Sequence, residues 1–251
     1  WLRHTICPGA VFHTHTYTHR ASLDARSHSS HGLELGDGLG ALVYGMFREL
    51  SEKTEGGKSM RWGPYGWALV DPNGSGEASL AEVDGWVRDR IEMCLSEAGG
   101  NSGIDARRDD LWKAYRPMYI LAFNDAADST RDAKKAGTRS NHDYVQKAEF
   151  RLLCVYLCLY ARMLDCFKAV GGSDKKMTRD EWRAGYTVLV SKSNDPGFVG
   201  LTLGSESDVD AVFDAMDKDG KGSVFLSEWC HYLKHVEVTA GTEVGLLLSP
   251  G

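Results

Sequence analysis

Two twelve-residue stretches place oxygen-bearing side chains at alternate positions. The first runs from Asp71 to Glu82 and the second from Asp217 to Glu228. In the first, Asp71, Asn73 and Ser75 stand at positions 1, 3 and 5, and Glu77 offers its backbone carbonyl at position 7. Ser79 can hold a water at position 9, and Glu82 stands at position 12. In the second, Asp217 and Asp219 stand at positions 1 and 3, Ser223 offers its carbonyl at position 7, and Glu228 closes the loop at 12. The chemistry that fits this spacing is binding of a hard cation. Calcium takes about six to eight oxygens, and alternate residues of a tightly curled loop turn them inward, with a final glutamate contributing both of its oxygens. Gly76 and Gly222, at position 6, permit the positive φ that the turn needs.

The two loops differ in quality. The first is weak only at Ala78, where position 8 usually carries a branched aliphatic residue. The second has Val224 at that position, but Lys221 stands at position 5 in place of an oxygen, and Phe225 at position 9 cannot anchor a water. The Lys221 stem is long enough to carry its charge out to solvent. The second loop is therefore expected to bind more weakly than the first.

Both loops resemble the EF-hand pattern D-x-[DN]-x-[DNS]-G-x5-E, from which the second departs at Lys221. Such loops lie between two helices. Before the first, Gly63-Pro64 limits the incoming helix to a short one starting near Pro64, with Trp67 and Val70 as its apolar face. Before the second, Val212, Phe213 and Met216 supply that face. Aligning on the closing glutamates yields two more units. Met177 to Trp182 parallels Val224 to Trp229, and Tyr144 to Phe150 resembles the second half of another loop. Counting back from Glu181 puts Val170 at position 1, Gly172 at 3 and Lys175 at 6. Counting back from Glu149 puts Thr138 at 1 and His142 at 5. Neither should hold calcium, and both are expected to serve as structural partners of the binding loops.

The fold class expected is all-α: two EF-hand pairs, two of the four loops degenerate, joined by a long apolar helix. The first pair spans residues 46–145, with an insertion at 124–141, and the second spans 170–236. Residues 146–169 read as one helix of about 36 Å at 1.5 Å per residue, apolar on most sides and shared by both pairs. Part of it could instead form a groove for a partner helix. Residues 237–251 read as a tail.

Residues 1–45 differ in kind. Six of the nine histidines lie before residue 32, in a His-Thr alternation that could bind a transition metal weakly. Disorder, a transit-type leader, or a non-native stretch read from a nucleotide repeat are competing explanations.

Composition narrows the function. Hydrophobic residues are 42% and charged residues 25%, an ordinary balance with enough apolar mass for a core. A net charge of −6 argues against nucleic-acid binding, which depends on neutralising phosphates. The longest apolar run, Leu152 to Ala161, is ten residues, too short to span a bilayer. Six cysteines form no C-x-x-C pair, and Cys154 and Cys158 read as small core residues in a reducing, cytoplasmic setting. No G-x-S-x-G, H-E-x-x-H or phosphate-binding glycine motif is present, so an enzyme is not expected. His231 and His235 are four apart and could hold a metal, but they read better as an exposed helix edge.

Asp143 to Tyr156, Met177 to Trp182 and the Asp217 loop together resemble the calflagins, the flagellar calcium-binding proteins of trypanosomatids. The resemblance extends from about Leu50 to Leu233 and includes the extended second unit and the apolar link. It implies a four-EF-hand, calcium-responsive protein associated with a flagellum and its membrane. By that resemblance the calcium ligands are Asp71, Asn73, Ser75, Glu77, Ser79, Glu82, Asp217, Asp219, Ser223 and Glu228. Family members reach the membrane through an acylated Met-Gly start, whereas this sequence opens on Trp1, so a membrane contact would need an acylated segment ahead of it. The expected role is a calcium sensor or buffer with a protein partner. The alternative is a scaffold on the same frame that docks its partner with little dependence on calcium.

Overall fold

A computed structural model describes residues 64–97, 104–129, 143–171, 176–202 and 205–249. The His-Thr tract, the rest of 1–63, the opening part of the Glu149 loop and positions 3 to 6 of the Glu181 loop, residues 172–175, lie outside these residues. The described chain is mostly helical and falls within one compact unit, residues 34–251.

Helix α1, Pro64–Val70, begins on a proline, whose fixed φ and missing N–H suit a first turn. It buries Trp67 and Val70 and leaves Leu69 to solvent. Strand β1, Glu77–Ser79, leads directly into helix α2, Leu80–Glu97. Helix α3, Ile104–Asp128, follows and contains Pro117. Strand β2, Tyr144–Gln146, then precedes helix α4, Phe150–Val170. The second half repeats the scheme. Strand β3, Lys176–Thr178, enters helix α5, Arg179–Ala184, and helix α6, Tyr186–Lys192, comes next. After a single 3-10 turn at Val199–Leu201 come helix α7, Glu206–Met216, strand β4, Ser223–Phe225, and helix α8, Leu226–Ala240. Helix α9, Glu243–Leu248, closes the described chain.

The strands form two antiparallel ribbons. Ala78 pairs with Val145 at the centre of β1–β2, and Met177 pairs with Val224 at the centre of β3–β4. All four central side chains are fully buried. Period-2 alternation turns them inward, and the neighbours on either side face outward or toward the loop.

Helix α4 buries sixteen of its twenty-one residues. It packs against α3 from the first half, against α5, α6 and α8 from the second, and against α9. These neighbours occupy the face that a partner helix would need. One hydrophobic cluster runs from Trp67 through α4 to Leu248. Cys154, Cys158, Cys166 and Cys230 lie buried within it, none of them in a disulfide. Burial pushes the Cys154 and Cys230 thiols up, which keeps them protonated and suits them to packing.

Three boundaries differ from the sequence-based expectation. The helix expected over 146–169 starts at Phe150, because Gln146 is tied into β2 opposite Glu77. Of the insertion expected at 124–141, residues 124–128 belong to α3, which continues through Asp128 with Ala126 and Ala127 buried, and 130–141 lie outside the described residues. The expected tail is structured. Helix α8 runs to Ala240, Gly241 ends it in the left-handed region at φ 63°, and Thr242 caps α9 by accepting from Gly245 N at 2.9 Å. Arg151 at the start of α4 donates to Leu247 O and Ser249 O, both at 2.7 Å, so α9 lies back on the core. No described helix is long and apolar enough to cross a membrane.

Candidate metal centre

The four closing glutamates perform the same local task. Glu82, Glu149, Glu181 and Glu228 each turn a carboxylate oxygen back to the backbone N–H three residues earlier. The acceptances are from Ser79 at 2.8 Å, Gln146 at 2.8 Å, Thr178 at 2.8 Å and Phe225 at 2.9 Å. Each bond satisfies a donor that the start of a helix leaves without an intrahelical partner. The next residue in every unit, Val83, Phe150, Trp182 and Trp229, is buried. Trp182 and Trp229 meet edge to face at 6.0 Å, and Trp86 and Phe150 lie 5.6 Å apart. Each unit thus fixes its glutamate between an apolar anchor and a ribbon.

In the first loop the hydrogen bonds draw the predicted ligands together. Asp71 Oδ1 accepts from Ser75 N at 2.9 Å and from Ser75 Oγ at 3.2 Å, and Oδ2 accepts from Gly76 N at 2.9 Å. Asn73 Oδ1 accepts from Ser75 N at 2.8 Å, while its Nδ2 donates to Glu82 Oε1 at 2.7 Å. Ser75 Oγ donates to the Glu77 carbonyl at 2.7 Å, and Ser79 Oγ donates to Glu82 Oε2 at 2.8 Å. Gly76 has φ 85°, the left-handed turn that lets the chain curl around Asp71. Asp71 is 5% exposed. Burial pushes its pKa up, but the bonds from Gly76, Ser75 and Trp67 outweigh that and hold the carboxyl below its ordinary range.

The second loop gathers more negative charge. Carboxylate oxygens of Asp217, Asp219 and Glu228 lie within 4.8 Å of one another. Asp217 accepts from Lys221 N at 3.1 Å and from Gly222 N at 2.8 Å, and Gly222 has φ 78°. Ser223 opens β4 opposite Thr178. Phe225 is 41% exposed. The Lys221 side chain is 68% exposed, yet its ammonium does not leave for water: Nζ lies 2.6 Å from Asp219 Oδ2. The Lys221 hydrogen bond is the main influence lowering the Asp219 carboxyl, and Asp219 in turn raises Lys221.

The remaining two units lack this oxygen set among the described residues. In the third, Thr178 Oγ1 donates to Glu181 Oε2 at 2.8 Å, so the glutamate is engaged in a capping box. His231 and His235 sit in different surroundings. His231 Nε2 lies 3.1 Å from Asp125 Oδ1, and His235 is exposed. That contact belongs to a polar cluster in which Lys234 Nζ donates to Asp125 Oδ2 at 2.5 Å and Tyr160 also donates to Asp125. It joins α3, α4 and α8, and nothing in the local sequence signals it.

Chemically, the first loop offers two carboxylates, an amide, two hydroxyls and a carbonyl, all hard oxygen donors suited to calcium or magnesium rather than to soft metals. The second offers three carboxylates and a carbonyl, opposed by one ammonium. Compared with known proteins, the chain matches no family model and no curated sequence.

Proposed function

We propose that the chain binds calcium through two EF-hand loops, Asp71–Glu82 and Asp217–Glu228, held in a frame of four EF-hand units grouped as two pairs. The observation that carries this reading is the fourfold geometry. Each unit has a buried residue at ribbon centre and a glutamate folded back four residues later, and two of the units add acids and hydroxyls at alternate positions. A surface turn that matched the motif by chance would have no reason to recur in register with three others.

The role proposed is that of a calcium sensor or buffer. The resemblance to the calflagins adds a flagellar setting and a protein partner to the proposal, with membrane contact through an acylated segment. No catalytic activity is proposed. A scaffold is the second reading: α4, buried on nearly all sides by described helices, has the packing of a constitutive structural element, and a partner would dock elsewhere. A sensor must expose different surface in its two states.

Calcium titration calorimetry on the full chain, with magnesium present, tests the reading. Two events of different affinity are expected, with an upward shift of Tm in calcium. Absence of heat and of thermal protection would sink it. An apolar dye that responds equally with and without calcium would retain binding but exclude the sensor role.

A further inference from the structure

Trp67 stands four residues before Asp71, one helical turn back on α1, and is 5% exposed. Its indole Nε1 donates to Asp71 Oδ2 at 3.0 Å, and the same oxygen accepts from Gly76 N. The opposite oxygen, Oδ1, faces Ser75 across the loop. The indole ring meets Phe150, the first residue of α4, edge to face at 5.5 Å and 72°. It is thereby fixed by packing as well as by its hydrogen bond. The corresponding residue of the second loop is Phe213, buried beside Trp182, and it has no N–H to offer Asp217.

We propose that Trp67 is a positioning residue of the first loop: its indole N–H pins one oxygen of Asp71 so that the other is presented to the cation. The proposal rests on the calcium-binding reading of that loop. An aspartate carboxylate rotates easily, because its terminal torsion is broad and nearly two-fold. A ligand free to turn must be ordered when the ion arrives, and fixing it beforehand removes that cost from binding. A donor behind a metal ligand typically changes affinity by about ten- to a hundredfold. The second loop lacks this donor as well as the position-5 oxygen, so two separate features favour the first.

Trp67→Phe keeps a ring against Phe150 and removes the N–H. In calorimetry of the full chain, the tight calcium event should weaken by about tenfold while the weak event keeps its affinity. A general loosening of the fold would move both. A second readout needs no loss of stability to interpret. The indole N–H resonance of Trp67, identified by its absence in Trp67→Phe or Trp67→Tyr, should shift with the first equivalent of calcium and stay still during the second. A Trp67→Phe protein whose tight event stays within twofold of the parent, or an indole resonance that does not move with the first equivalent, would overturn the proposal and leave the calcium reading standing. A parent chain that takes up no calcium would overturn both.

Discussion

Lys221 Nζ lies 2.6 Å from Asp219 Oδ2, so the side chain at position 5 of the second loop bonds a carboxylate at position 3. A cation entering there must separate the pair and then find no oxygen at position 5, where the first loop supplies Ser75. The pair is largely exposed, and exposed ion pairs contribute little. The missing oxygen is therefore the larger handicap.

Two substitutions separate these effects. Lys221→Met removes the ammonium alone and should tighten the weak calcium event only a few fold. Lys221→Asp also supplies a ligand oxygen and should tighten it by at least about tenfold more, because site affinity follows ligand charge and count. Calorimetry on both variants decides the matter: equal gains would mean that competition by the ammonium limits the site.

Glu82→Gln should abolish the tight calcium event and spare the weak one. Glutamine keeps an amide oxygen to accept from Ser79 N, so the start of α2 is preserved while the bidentate carboxylate is lost. Circular dichroism should be unchanged and the calorimetric trace should retain a single event. Survival of the tight event would place it elsewhere.

Glu181→Ala addresses a closing glutamate without a cage. It removes the acceptor of Thr178 N and Oγ1 at the start of α5 and should cost about 1 kcal/mol in urea unfolding. Both calcium events should persist. A lost event would give the third unit a part in binding.

Asp125 links α3 to Tyr160, His231 and Lys234. Burial raises its pKa, but the bonds from His231, Lys234 and Tyr160 prevail and hold it at about 2, against an ordinary 3.8. A carboxyl depressed in the folded state stabilises it above its unfolded pKa, and that share is lost as pH falls through the folded value. The contribution, about 2 kcal/mol, should be complete above about pH 4 and vanish toward pH 2. Asp125→Asn should lower stability at neutral pH and flatten the fall between pH 4 and 2 in urea unfolding. An identical slope in both proteins would remove Asp125 from the acid response.

Local periodicity made part of this readable. The glutamates at 82, 149, 181 and 228, each preceded by an apolar residue four positions earlier and followed by another, form a pattern visible without coordinates, and the structure seats them alike. The Trp67–Asp71 bond could also have been anticipated, since residues four apart on a helix are neighbours. Other features depend on distant chain. Gln146 belongs to a strand because Glu77 lies opposite, and apolar spacing around Gln146 cannot reveal a partner in another loop. Asp125 and Lys234 are 109 residues apart, and their pairing arises only once α3 and α8 flank α4. The return of Lys221 to Asp219 is a rotamer choice on a long flexible stem, which residue identity alone leaves open.

Each ribbon joins one oxygen-rich loop to a partner built differently: β1 to the loop before Glu149, and β4 to the loop before Glu181. On the calcium proposal, an ion seated in either half has no neighbour across its ribbon to prepare for a second ion. The two occupancies would then fill independently. The chain would answer a rising calcium level in two spaced, shallow steps, as a gauge with a wide range rather than as a threshold switch.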